Sequence, residues 1–176
     1  MYIFYFVLLV NQFSLDMYYE ILNSRYQFPM VQTSVLEVVD LEEDKKAVLL
    51  AKTCCYGEAG GQSGDKGVIY NMDDQTVFNI EDTQLDWDKG YVWHIGTFEP
   101  NRNLQPGKRV KIQFDINQRI GLMQNHTGHH LLNNVLYHMF EFSKCRNSSI
   151  TSDGFKFELN ALNAKIDGEV LSKIGL

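Results

Sequence analysis

The chain has 176 residues, 44% hydrophobic and 22% charged, with a net charge of −6 at pH 7 and a pI near 5.3. This is ordinary globular composition. Plentiful Phe, Tyr, Ile, Leu and Val exclude disorder, and the acidic balance excludes a general nucleic-acid binder, because phosphate contacts need clustered Lys and Arg. The three cysteines, Cys54, Cys55 and Cys145, have no regular spacing. That excludes a secreted disulfide scaffold and fits a reducing compartment.

The chain begins with the apolar run "MYIFYFVLLV". It is shorter than the roughly 20 residues that span a bilayer as a helix. It lacks the basic start and small-residue cleavage site of a signal peptide, and the Arg and Ser of a mitochondrial transit peptide. It reads as a buried helix or strand, or as sequence from a misjoined gene model. Residues 1–24 look helical, and Pro29 closes this segment, taken as residues 1–30. From Val31 the pattern is β-rich, with runs at 33–39 and 47–55 around a hairpin turn in "DLEEDKK". In a strand, Cys54 and Cys55 would point to opposite faces and would not share a metal.

"GEAGGQSGDKG" follows and must be a loop, with five glycines in eleven residues. The segments "VIY", "TVFNIEDTQ", "YVWHIGTF" and "RVKIQFDI" are short, rich in β-branched and aromatic residues, and separated by turn chemistry. They predict a small antiparallel barrel or sandwich over residues 31–116. Lys108, Arg109, Lys111 and Arg119, and more loosely Lys144, Arg146 and Lys156, read as solvated charge. At Asn117 the period changes. Leu131, Leu132, Val135, Leu136, Met139 and Phe140 make a helical stripe, which Asn125 or Thr127 would cap. "SITSDGFKFEL" reads as a hairpin turning at Ser152-Asp153-Gly154, and "NAKIDGEVLSKIGL" as the start of a further helix. Residues 117–176 thus make a second, helix-containing region, and the class is α+β.

Four of the five histidines lie in "NHTGHHLLNNVLYHMF", residues 125–140. His126 and His130 are four apart, which puts both imidazoles on one helical face, within reach of one metal ion. Two satisfied polar histidines at a helix start would look the same, and zinc wants three or four protein ligands. In the glycine-rich loop, Gly60 and Gly61 permit positive φ, Gln62 brings an amide that donates and accepts, and Asp65 can fix the turn. The order of residues fits neither a P-loop nor GxGxxG. From the loop alone, a strand connector with demanding backbone geometry is as good a reading.

"GEAGGQSGDKG", then "IEDTQ", then "RVKIQFDINQR" and "NHTGHHLL" about sixty residues beyond the loop, together resemble the alanyl-tRNA synthetase family. They are similar to the segment that opens its editing region, from about Ser34 to Leu159. "LMQNHTGHHLL" also resembles the freestanding relatives of that editing domain. The resemblance implies a β-barrel followed by the first part of an editing domain like that of threonyl- and alanyl-tRNA synthetases. It implies that His126 and His130 are two of four zinc ligands, since the family's CxxxH pair lies downstream and no such motif follows Leu159. It places Gly60, Gly61, Gln62, Asp65 and Thr127 at the substrate site.

Two departures border the family's editing pocket. His129 stands where a small polar residue is common, and Arg146 where a Gln is common. They imply an altered or weak pocket. The partners implied are tRNA(Ala), with alanine and ATP for the intact ligase. The expected function is a fragment of an alanine–tRNA ligase covering the region that hydrolyses mischarged Ser- or Gly-tRNA(Ala). A freestanding zinc-dependent editing hydrolase and a degenerate, non-catalytic tRNA-binding module remain alternatives. The implied compartment is mitochondrial or cytoplasmic, with "HTGHHLLN" closer to an animal mitochondrial member, and no membrane is expected.

Overall fold

Six short strands close on themselves because every one of them finds two antiparallel neighbours. In the computed structural model, which describes residues 30–139 and 144–160, these are β1 (Val31–Asp40), β2 (Lys46–Leu50), β3 (Gly67–Tyr70), β4 (Thr76–Asp86), β5 (Tyr91–Phe98) and β6 (Arg109–Phe114). The order around the barrel is β1-β2-β5-β4-β3-β6, and β6 pairs back onto β1. Closure removes the exposed sheet edges that would otherwise recruit other chains. Bulges at Val35/Glu37, Ile69/Tyr70 and Ile80/Asp82 supply the bending. The interior is Val35, Val48, Ile69, Phe78, Ile80, Val110 and Ile112, each nearly or wholly buried. The barrel alternative of the sequence reading is therefore the observed one.

The β1–β2 turn falls within "DLEEDKK". Glu43 and Asp44 both take positive φ, at 57° and 59°, and Lys45 N–H donates to the Glu42 carbonyl at 3.3 Å. Two successive left-handed residues make the turn whose twist matches that of the flanking strands.

The expected second run stops early, at Leu50 rather than Cys55. Side chains take over the backbone there: Lys52 N–H donates to Thr33 Oγ1 at 2.8 Å, and Cys55 N–H to Thr53 Oγ1 at 3.0 Å. Such local bonds compete with a ladder. Cys54 and Cys55 therefore do not alternate across a sheet. The Cys54 thiol donates to the Ile112 carbonyl at 3.7 Å. The adjacent Cys55 thiol holds Cys54 down to about 7, while Cys54 and burial push Cys55 up.

Three polar side chains inside the barrel unit have no exposed surface: Asp65, Thr83 and His94. Each is satisfied. Asp65 receives Arg119 through Nε at 2.9 Å on Oδ1 and through the second guanidinium nitrogen on Oδ2. Tyr56 N–H also donates to Oδ2, at 2.6 Å. Thr83 Oγ1 donates to the Asp65 carbonyl at 2.7 Å. Arg119 further donates to the Cys54 carbonyl at 3.2 Å and lies 4.2 Å over the Phe114 ring. The basic cluster is thus not simply solvated charge, since Arg119 is spent on Asp65 and Lys111 is paired with Asp74 at 2.5 Å.

His94 sits between the Val48 carbonyl, 2.9 Å from Nδ1, and Thr53 Oγ1, 2.7 Å from Nε2. A carbonyl only accepts, so Nδ1 carries the proton and Nε2 accepts from the threonine hydroxyl. Burial lowers the proton affinity of the ring and so favours its neutral form.

Helix α1 runs over Ile116–Met139. Its cap is Asp115, whose Oδ1 accepts from Asn117 N–H at 2.9 Å and Gln118 N–H at 3.1 Å. Asn125 and Thr127, expected as caps, lie inside the helix, because it starts as soon as β6 ends. The apolar stripe also differs. Leu122, His129 and Leu136 are the buried line, whereas Leu131 and Val135 are 52% and 41% exposed. Strands β7 (Lys144–Ile150) and β8 (Phe155–Asn160) form the expected hairpin, closed by Thr151 N–H donating to the Gly154 carbonyl at 2.9 Å.

Residues 30–59 and 63–120 form one compact unit; residues 60–62 join residues 121–139 and 144–160 in a second. The expected helices at 1–24 and from Asn163 onward lie outside the described residues, as does Phe140. Among the described residues no helix is long and apolar enough to cross a membrane.

Two outcomes follow from the buried polar groups. Asp65→Ala leaves the Arg119 charge buried without its partner and should cost about 3–5 kcal/mol, read by urea unfolding. Pairing it with Arg119→Met should recover part of that loss. For His94, the unfolded chain binds a proton near pH 6.5 and the native chain resists it. Stability is therefore full above that pH and declines as pH falls below it. His126 and His129 are shifted the same way, so His94→Gln should flatten the decline between pH 7.5 and 5 without abolishing it.

Candidate functional site

The second unit is assembled by close backbone approaches. Gly61 has φ +84°, and a Cβ there would stand 2.3 Å from the Ser148 carbonyl oxygen. Only glycine satisfies both demands. Its carbonyl accepts from Ile150 N–H at 2.8 Å, and Gln62 makes a parallel bridge with Ile150. The loop segment 60–62 is thereby laid along β7. On the helix, Gly121 abuts Ser152, with a Cβ there reaching 2.6 Å from its carbonyl oxygen. Asn125 Nδ2 donates to the carbonyls of Thr151 and Ser152, both at 2.9 Å. Gly128 lies against Phe155. This face of α1 is thus docked on the β7–β8 hairpin.

Docking that face leaves His126 and His130 side by side. Their Nε2 atoms are 2.9 Å apart and their ring centroids 4.8 Å. His126 is half-buried and His130 exposed. His126 Nδ1 lies 2.5 Å from Gln62 Oε1. Burial lowers the proton affinity of His126 first, followed by the neighbouring rings of His130 and His129. A neutral imidazole is the form that binds a metal.

Two ligand nitrogens on one tetrahedral zinc, each at about 2.0–2.1 Å, stand roughly 3.3 Å apart. The observed pair is within a few tenths of an ångström of that, so a small ring rotation would admit the ion. The donor set fits zinc as far as it goes. Among the described residues no group of three or more His, Cys, Asp or Glu is placed to hold a metal.

The other expected site residues separate. His129 is buried, with its ring 5.7 Å from Phe155 and 5.3 Å from His130, edge-on to both. Its bulk is taken up between helix and hairpin. Thr127 is half-buried in the helix between the two ligand candidates. Gly60, at φ +59°, has nothing within 4 Å of a built Cβ, so its requirement is conformational. Asp65 belongs to the barrel unit; it has no exposed surface, and Arg119 and Tyr56 N–H engage both its oxygens, which leaves no face for a ligand. Arg146 lies in β7, and its side chain falls outside the described residues. His138 is exposed in the last turn, beside Tyr137.

Sequence reading missed Arg119 as the partner of Asp65 and Asn125 as the helix's tie to the hairpin. Nothing local in the chain links positions 54 and 26 residues apart. Asp65 stands in "GQSGDKG" and Arg119 in "NQRIG", both among polar residues and glycine, so no local signal marks the pair.

Gly61→Ala should lower the unfolding midpoint and shift the amide resonances of Ser148 and Ile150, since the backbones must part. His129→Ala removes a buried ring and should cost about 2–4 kcal/mol, measured by thermal or urea unfolding.

Residues 9–118 match the family of tRNA synthetases class II (A). The match starts within the segment separated above as residues 1–30 and ends just before the histidine pair. The alanyl-tRNA editing protein AlaX-L of Pyrococcus horikoshii is 32% identical over 147 residues, covering 82% of this chain and 33% of that protein. The mitochondrial alanine–tRNA ligase of Saccharomyces cerevisiae is 38% identical over 104 residues, 59% of this chain and 10% of the ligase. The mitochondrial alanine–tRNA ligase of Caenorhabditis elegans is 32% identical over 147 residues, 77% of this chain and 18% of the ligase. The chain therefore spans a third or less of the length of these relatives. Through the class II (A) match and these similarities, the chain belongs to the alanyl-tRNA synthetase family.

Proposed function

We propose that the chain provides the barrel and the leading part of the editing region of an alanine–tRNA ligase, acting on tRNA(Ala) mischarged with serine or glycine. The observation that carries this reading is the convergence of His126 and His130, 2.9 Å apart at Nε2 and backed by Gln62. In this reading the two histidines hold zinc with ligands from beyond the described residues. A bound zinc would supply Lewis-acid polarisation beside the ester of the terminal ribose. His126 and His130 orient that centre, and Thr127 lies on the helix between them. Alanine and ATP belong to the ligase as a whole. The compartment in this reading is mitochondrial or cytoplasmic, since similar ligases are named mitochondrial in Saccharomyces cerevisiae and cytoplasmic in Bombyx mori, the latter 37% identical over 113 residues.

A freestanding editing hydrolase is the second reading, favoured by the similarity to the editing protein over 82% of this chain. Zinc content separates the two. A ligase segment holding two of four ligands binds zinc weakly, whereas a freestanding enzyme carries one tight equivalent.

The test is hydrolysis of Ser-tRNA(Ala) by the full-length protein. His126→Ala should lower the rate at least tenfold, and chelation should do the same. A rate unchanged by both would remove the editing assignment. His129 and Arg146 stand where the family commonly has smaller or uncharged residues, so the unmodified protein should deacylate more slowly than a bacterial member; an equal rate would remove that part of the reading.

A further inference from the structure

The glycine-rich loop places one polar side chain against the histidine pair. Gln62 is 92% buried, as its 8% exposure states. Its backbone is held by the bridge to Ile150 and by the tight approach of Gly61 to Ser148, so its amide has little freedom. Oε1 lies 2.5 Å from Nδ1 of His126. A carbonyl oxygen only accepts, so Nδ1 must carry the proton. A neutral imidazole has one such proton, and Nε2 of His126 is then a bare lone pair facing His130. His130 Nε2, 2.9 Å away, donates to it.

We propose that Gln62 is a positioning residue that locks His126 in the Nδ1–H tautomer, so that Nε2 is preset as a ligand. The pair is then asymmetric. His126 can take a metal without moving a proton. His130 carries its proton on the nitrogen that would bind, and must shift it to Nδ1 or lose it. Its exposed ring lets water carry that exchange. An outer partner on the far nitrogen of a ligating histidine fixes tautomer and ring orientation, and losing it typically weakens metal binding 10- to 100-fold. The tautomer lock stands on the hydrogen bond alone. Its use for zinc rests on the proposed function, and the two can fail separately.

The experiment is long-range 1H–15N NMR on the metal-free full chain at pH 8, followed by zinc titration. Wild type should show His126 protonated at Nδ1. Gln62→Leu should move His126 toward the Nε2–H form, while Gln62→Glu, which keeps the acceptor, should retain Nδ1–H. Zinc should perturb His126 and His130, with Gln62→Leu weakening the apparent affinity about 10- to 100-fold and Gln62→Glu restoring it. Unchanged amide spectra and unfolding midpoint for Gln62→Leu separate positioning from folding; if that variant unfolds, Gln62→Met takes its place. An Nε2–H tautomer in wild type, or one unaltered in Gln62→Leu, overturns the positioning role. A correct tautomer pattern with no zinc response at either histidine overturns the metal reading and leaves the lock standing.

Discussion

Asp65 is a carboxylate with no exposed surface, and the course of the chain around it depends on how that charge is met. Desolvating a carboxylate costs several kcal/mol, which only close, well-aligned partners offset. Here the partners are the two-point guanidinium of Arg119 and the N–H of Tyr56. The Asp65 carbonyl in turn takes the Thr83 hydroxyl. One residue thereby ties the end of the glycine-rich loop to β4 and to the first turn of α1. Gly64 makes this possible, because a Cβ there would stand 2.0 Å from the Thr83 carbonyl oxygen. The loop's composition is thus a consequence of backbone approach and charge burial, more than of flexibility.

The same logic of close approach governs the histidine-bearing helix. Gly61, Gly121 and Gly128 each face another segment of the second unit at short range. Leu122, His129 and Leu136 form the inner line. Once that face is committed to the hairpin, the neighbouring flank carrying His126 and His130 has its orientation set. Four histidines that look like one cluster in the sequence then divide by environment. One is packed as a core ring, one lies at the exposed end, and two meet at their Nε2 atoms. Helix periodicity alone identified the meeting pair, because residues four apart share a face whatever the tertiary structure.

Much of the barrel was legible from alternation and turn residues. Each strand after the glycine-rich loop appeared where a short β-branched or aromatic run stood between Gly, Pro, Asn and Asp. Boundaries were less legible where side chains intervene. β2 ends at Leu50 because the Thr33 and Thr53 hydroxyls take backbone donors, and a run of apolar letters through Cys55 does not show that. The helix cap was misplaced for a related reason. Asn125 and Thr127 are good capping types, but the cap is set by where β6 stops, and Asp115 stands there.

The sequence by itself determined the element types, the spacing that brings His126 to His130, and the motif order that carries the family resemblance. These are local or linear properties, fixed by 2.0 and 3.6 periodicities and by residue chemistry. Tertiary structure alone decided which polar group answers which. It gave Asp65 to Arg119, His94 to Val48 and Thr53, Asn125 to the hairpin turn, and Gln62 to His126. Those pairings join residues dozens of positions apart, and their energies come from burial, which no linear pattern of residues contains.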